Sequence, residues 1–195
     1  MPGQARDDVI KALGVGLDAL EAGDVARALR YLEWCKSVAP RSPVVRETLG
    51  VTHYGAGDFV TAQTELLAYR RLSGKADQNH LLADCARAAG RHDRVVEYID
   101  EMVAADVDRA RVVEGIIVMA GDRADRGDVR GALDVLARAD LDPSRVESWH
   151  PRVWYVGATL CERLGEVDQA REFLEAILAV DEDFYDTAER LAALQ

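Results

Sequence analysis

Aromatic residues make up only 6% of this chain, lysine appears three times against 21 arginines, and no apolar run approaches a membrane span. Each scarcity excludes something. With 49% apolar residues and few rings, a core has to be filled by Ala, Leu and Val, whose small side chains let helices approach closely. The longest apolar stretch, residues 112–120, is interrupted by Glu114 and Gly115 and falls well short of the ~20 residues that a spanning helix needs. The opening Met1-Pro2-Gly3-Gln4-Ala5-Arg6-Asp7-Asp8 is polar, and no apolar core of signal-peptide length follows it. A soluble, cytoplasmic protein is therefore expected, with no membrane partner. The arginine bias reads as that of a GC-rich bacterial coding sequence.

Cysteine is scarce too. Cys35, Cys85 and Cys161 stand far apart, with no C-x-x-C spacing, and an odd count argues against a disulfide framework. Each falls where an apolar residue is expected, which predicts buried free thiols. Signatures of catalysis are missing as well: there is no Gly-x-Gly-x-x-Gly, Walker-type, His-Glu-x-x-His or Gly-x-Ser-x-Gly segment. The four histidines, His53, His80, His92 and His150, are scattered. Only His80 and Asp84 lie four apart on one predicted helix, where their side chains can meet. Nothing nearby completes a base or a metal site, so an ordinary polar pair is expected, with no catalytic residue, metal or cofactor.

The balance of 35 acids against 24 bases gives a net charge of −11, which disfavours a nucleic-acid ligand. Basic clusters at Arg27, Arg30, Lys36, Arg41 and Arg46, and at Arg70, Arg71 and Lys75, are interleaved with Glu33, Glu47, Asp58 and Glu65. They read as solvated helix faces.

What the chain does have is a period. Gly23-Asp24, Gly57-Asp58, Gly90-Arg-His-Asp93, Gly127-Asp128 and Gly165-Glu166 recur at spacings of 34, 33, 37 and 38 residues. A period in this range marks a solenoid of stacked helix pairs. In the first unit, Val9, Leu13, Leu17 and Leu20 predict a helix over 9–22, and Gly23 ends it. Asp24 then offers an oxygen to the free N–H groups of a second helix over 25–38, which presents Ala28, Leu29, Leu32 and Cys35 on one face. Pro40 and Pro43 flank its end. A small residue follows five positions after most of the turn glycines, at Ala28, Ala62, Ala132 and Ala170, where the second helix must lie against the first. The third unit has Val95 there. Pro143 marks the end of the fourth unit. Phe184, Ala188, Leu191 and Leu194 predict a capping helix over 184–195, its N-terminus favoured by Asp181, Glu182 and Asp183.

This pattern resembles the tetratricopeptide repeat, a 34-residue unit marked by Trp, Leu-Gly, an aromatic, Ala, Phe and Pro. The residues that carry the likeness are Gly16, Ala28, Leu32 and Pro40, then Leu49-Gly50, Tyr54 and Ala62, and later Trp154 and Ala170. It covers about 9–180, and 44–74 in particular is similar to uncharacterised bacterial members. The resemblance implies an all-α, right-handed superhelix of about five helical hairpins. Their approximate bounds are 9–42, 43–75, 76–112, 113–150 and 151–183, and with the cap at 184–195 they form one solenoid domain over 1–195. The three to four extra residues in the later units fall in the connections around 104–111 and 140–151.

The resemblance further implies a non-enzymatic scaffold or adaptor that binds a protein or peptide in its concave groove, lined by the first helix of each pair. Carried over position by position, that groove holds Leu13 and Leu17; Glu47, Val51 and Tyr54; Asp77, His80, Asp84 and Arg87; Glu114; and Tyr155, Thr159 and Glu162. The subclass that grips a C-terminal carboxylate uses Lys and Asn at these positions, and none of them is Lys or Asn here. Glu47, Asp77, Asp84 and Glu114 would make the middle acidic and favour a basic peptide. The alternative is structural self-association, a homodimer through Tyr31 and Trp34. These lie three apart on a face of the second helix that its core positions leave free. Trp154, at the repeat's own Trp position, is expected in the core, and Trp149 at its edge.

Overall fold

The computed structural model describes residues 3–140 and 146–194. Within them the chain folds into α1 (Gly3–Glu21), α2 (Val25–Val38), α3 (Pro43–Gly55), α4 (Phe59–Ser73), α5 (Asn79–Ala88), α6 (His92–Ala104), α7 (Arg109–Asp125), α8 (Val129–Leu136), α9 (His150–Leu164), α10 (Val167–Leu178) and α11 (Thr187–Ala193). A short 3-10 turn, Ala137–Ala139, follows α8, and no strand occurs among the described residues. Packing is heaviest within the consecutive pairs α1/α2, α3/α4, α5/α6, α7/α8 and α9/α10, and each pair stacks on the next.

The turns form for the reason their residues suggest. Gly57 takes φ +78°, a region where a Cβ would crowd the backbone, and the other four turn glycines adopt the same conformation. Asp24, Asp58 and Asp128 then accept hydrogen bonds from the N–H groups of Arg27, Thr61 and Gly131, at 2.9, 3.1 and 2.9 Å. Two turns depart from this. In the third, Arg91 occupies the cap position and Asp93 lies inside the first turn of α6. In the fifth, Glu166 makes no capping bond, because its longer side chain reaches across to Arg130.

Behind the turns, one register runs through every pair. The fifth residue after each turn glycine is fully buried, Ala28, Ala62, Val95, Ala132 and Ala170 alike. The ninth is as well: Leu32, Leu66, Ile99, Leu136 and Leu174. Val95 therefore keeps the third unit in phase despite its size. All three cysteines are buried and free, and the Cys35 thiol donates to the Val9 carbonyl at 3.6 Å. Trp154 is buried in the last hairpin's cluster and Trp149 packs partly buried against the main one.

Some details differ from the sequence reading. The first helix begins at Gly3 rather than Val9, since residues 3–8 are compatible with a helix although their polar side chains leave no apolar periodicity to read. Pro143 lies outside the described residues, as do Met1, Pro2 and Gln195. The connection leading into α9 is held by His150, which is buried although it reads as an ordinary polar residue. Its Nδ1 accepts from the Glu147 N–H at 2.7 Å, so Nε2 carries the proton and donates to the Asp140 carbonyl at 3.0 Å. Its ring stacks on Trp154, with centroids 5.1 Å apart. At the C-terminal end, Tyr185 takes a left-handed φ of +46° and separates Phe184 from α11. Phe184, Leu191 and Leu194 still pack on the last pair, but Thr187 is buried and Ala188 faces solvent.

Candidate functional site

The odd-numbered helices α3, α5, α7 and α9 close around a concave cavity of about 360 Å³. Its wall combines Tyr54 from α3; His80, Leu81, Asp84 and Arg87 from α5; Glu114, Ile117, Val118 and Gly121 from α7; and Arg152 and Val156 from α9. The spacings explain the convergence. Residues 80, 84 and 87, and residues 114, 117, 118 and 121, recur at three- and four-residue steps and so share one helix face. Stacking four such helices aligns their faces into a single concave wall.

The polar groups form a connected set. The Tyr54 hydroxyl donates to Asp84 at 2.6 Å, and burial followed by this bond raises its pKa above the usual tyrosine value. Asp84 also accepts from Arg87 Nε at 2.8 Å, and Arg87 extends to Asp125 at 2.5 Å. Glu114 pairs with Arg152 at 3.0 Å. Burial raises the Glu114 pKa, and the Arg152 guanidinium opposes that shift. His80 does not pair with Asp84, whose carboxylate is taken up by Tyr54 and Arg87. Its Nδ1 is buried with no hydrogen-bond partner among the described residues. Burial pushes the imidazole down to about 4, with the Arg111 cation adding to the effect. The neighbouring Cys85 thiol is raised to about 11, chiefly by burial, which leaves it a poor nucleophile.

Of the groove positions read from the sequence, the cavity thus brings together Tyr54, His80, Asp84, Arg87 and Glu114. Glu47 and Asp77 do not line the cavity. Glu47 accepts from Gln78 at 2.7 Å, while Asp77 accepts from the Tyr69 hydroxyl at 2.8 Å and lies 3.8 Å from Arg111. Val51 is exposed on α3. Tyr155, Thr159 and Glu162 are engaged by the C-terminal segment. The Tyr155 hydroxyl donates to Asp186 at 2.6 Å, and Arg190 lies over its ring. Arg190 also donates to Thr159 at 3.1 Å and pairs with Glu162 at 2.9 Å. The four acids of the expected acidic middle each have a partner, and three of those partners are arginines. Arg152, Leu81, Ile117, Val118 and Val156 escaped the sequence reading, although their three- and four-residue steps from Glu114, Asp84 and one another are visible in it.

Tyr31 and Trp34 are remote from this cavity, on α2. Trp34 is 44% exposed and Tyr31 is half-buried against α1. Among the described residues, no group of three or more His, Cys, Asp or Glu is arranged to hold a metal ion, and no helix is long and apolar enough to cross a membrane.

No protein-family model matches the chain, and no curated protein does. Solved structures do. A chain of the APC/C hetero-tetramer Cut9–Hcn1 superposes with a TM-score of 0.75 at 16% identity, over 97% of this chain and 36% of that one. This chain therefore spans about a third of that protein's length. TTC0263, a thermophilic TPR protein of Thermus thermophilus, gives a TM-score of 0.68 at 16% identity over 95% and 98% of the two chains. YrrB, a TPR protein with an unusual peptide-binding site, gives 0.57 at 13% identity over 95% and 92%. At these identities the likeness is one of fold, and it agrees with the glycine turns and the buried register described above: the chain has the fold of a tetratricopeptide-repeat solenoid.

Proposed function

We propose that this chain is a non-enzymatic protein-interaction scaffold that captures a segment of a partner polypeptide in the cavity between α3, α5, α7 and α9. One observation carries the reading. Leu81, Ile117, Val118 and Val156, none of them fully buried, line a concavity large enough for one apolar side chain with its flanking backbone. Around them, Tyr54, His80, Arg87, Glu114 and Arg152 supply donors and acceptors for a peptide main chain. Because Arg87 and Arg152 offset Asp84 and Glu114, the apolar floor rather than net charge is the basis of recognition. A basic ligand is favoured only through the acids that lie beyond the cavity.

The test is selection from a random peptide library on the full chain, repeated with Val118→Asp. Peptides with a recurrent aliphatic or aromatic residue, retained by the wild type and lost by the variant at an unchanged melting temperature, support the reading. Selection of the same peptides by both proteins contradicts it.

A further inference from the structure

A second surface lies at the opposite end from the C-terminal cap, and repeat equivalence defines it. The eighth residue after each turn glycine is Tyr31, Glu65, Tyr98, Val135 and Phe173. The last four are buried. For Glu65 and Tyr98, the helices of the preceding pair supply part of the cover. Lys36 of α2 reaches Glu65 at 3.1 Å, and Arg70 of α4 lies over the Tyr98 ring at 5.7 Å. Tyr31 has no preceding pair among the described residues. It lines, with Trp34, Arg27, Arg30 and Ala12 of α1, a solvent-open cavity of about 470 Å³. This is the half of a helix–helix joint that the later pairs complete.

Charge says what completes it. Neither Arg27 nor Arg30 has a carboxylate within ion-pair distance among the described residues, and both side chains are exposed. In a chain of net charge −11, this is a local reversal of sign beside an exposed indole. A symmetric pairing of two copies here would bring four unpaired guanidinium groups together. We propose that this end of the solenoid docks an acidic amphipathic helix of a partner protein. One apolar side chain enters the cavity against Trp34 and Tyr31, and carboxylates on adjacent turns pair with Arg27 and Arg30. The two arginines lie three apart on one face of α2, so carboxylates three or four apart on the incoming helix match them.

The probes are two labelled synthetic helices with the same leucine stripe, one flanked by Glu and the other by Lys. Their affinities for the full chain are read by fluorescence anisotropy. The Glu helix is expected to bind at least about tenfold tighter than the Lys helix. Arg27→Glu/Arg30→Glu inverts the preference, Trp34→Ala weakens binding, and Val118→Asp in the concave cavity leaves it unchanged. Melting temperature serves as the folding control, since the substituted side chains at this end are exposed. Equal affinity for the two helices, persistence of the preference in the charge-reversed variant, or a Kd above ~1 mM for the Glu helix overturns the proposal. So does a dimer of the chain alone in sedimentation velocity that Trp34→Ala dissolves, because a second copy would then own the face.

Discussion

Gly50 of α3 lies so close to Leu66 of α4 that a Cβ at position 50 would stand 2.6 Å from Leu66 Cγ. Replacing a glycine inside a helix with alanine ordinarily stabilises by about 1 kcal/mol. Here the sign reverses: Gly50→Ala is expected to destabilise by about 1–3 kcal/mol through overpacking. Gly14, in the body of α1, has nothing within 4 Å of the position a Cβ would take, and Gly14→Ala is expected to stabilise. Chemical denaturation of the two variants side by side checks both signs.

Ala62 occupies the same joint from the other helix and has no exposed surface. Ala62→Leu must part α3 from α4, with an expected loss of about 1–3 kcal/mol and the same outcome for Ala28→Leu. Substitution of Val60, which is 81% exposed, is expected to leave stability within about 0.5 kcal/mol of wild type.

Glu65 of α4 is a buried carboxylate gripped by Lys36 of α2 and Arg46 of α3. Both cations keep some contact with water, so removing their partner does not strand a fully buried charge. Glu65→Ala is expected to cost about 1–3 kcal/mol. A Glu65→Met variant of similar volume is expected to recover part of that loss. Thermal melts of the pair separate the ionic contribution from packing.

His80 makes stability depend on pH. Its folded pKa is pushed from 6.5 to about 4 by burial and by Arg111, with Arg152 adding and Asp77 opposing. Below pH 6.5 the unfolded chain takes up a proton that the folded chain refuses. Stability linked to this residue is therefore present above pH 6.5 and lost as the pH falls towards 4. The melting temperature of wild type is expected to drop more than that of His80→Gln between pH 7 and pH 5. Parallel curves for the two proteins would contradict this assignment.

The glycine turns and the small-residue positions show how much of the fold was legible. A left-handed glycine, a capping aspartate and an alanine five residues on are local requirements, and the units at Gly23, Gly57 and Gly127 each state all three within a dozen positions. The cavity was legible only by halves. Helical spacing placed His80 and Asp84 on one face and the family resemblance added Arg87, but neither carries information on what lies opposite from another unit. Thus Glu114 showed its charge in the sequence, whereas its partner Arg152, 38 residues away, did not. The engagement of Tyr155, Thr159 and Glu162 by Arg190 was hidden in the same way. It depends on the left-handed backbone of Tyr185, which rotates α11 relative to the stripe drawn through Phe184 and Ala188.

The concave cavity as the partner-binding surface is tested most directly by site-specific photo-crosslinking in cells. A photoreactive residue is placed at Val118 on the cavity wall, or at the exposed Val60 on α4. The account predicts a discrete polypeptide adduct from position 118 that is absent from position 60 and is competed by a library-selected peptide. No adduct at 118, or the same adducts from both positions, would contradict it.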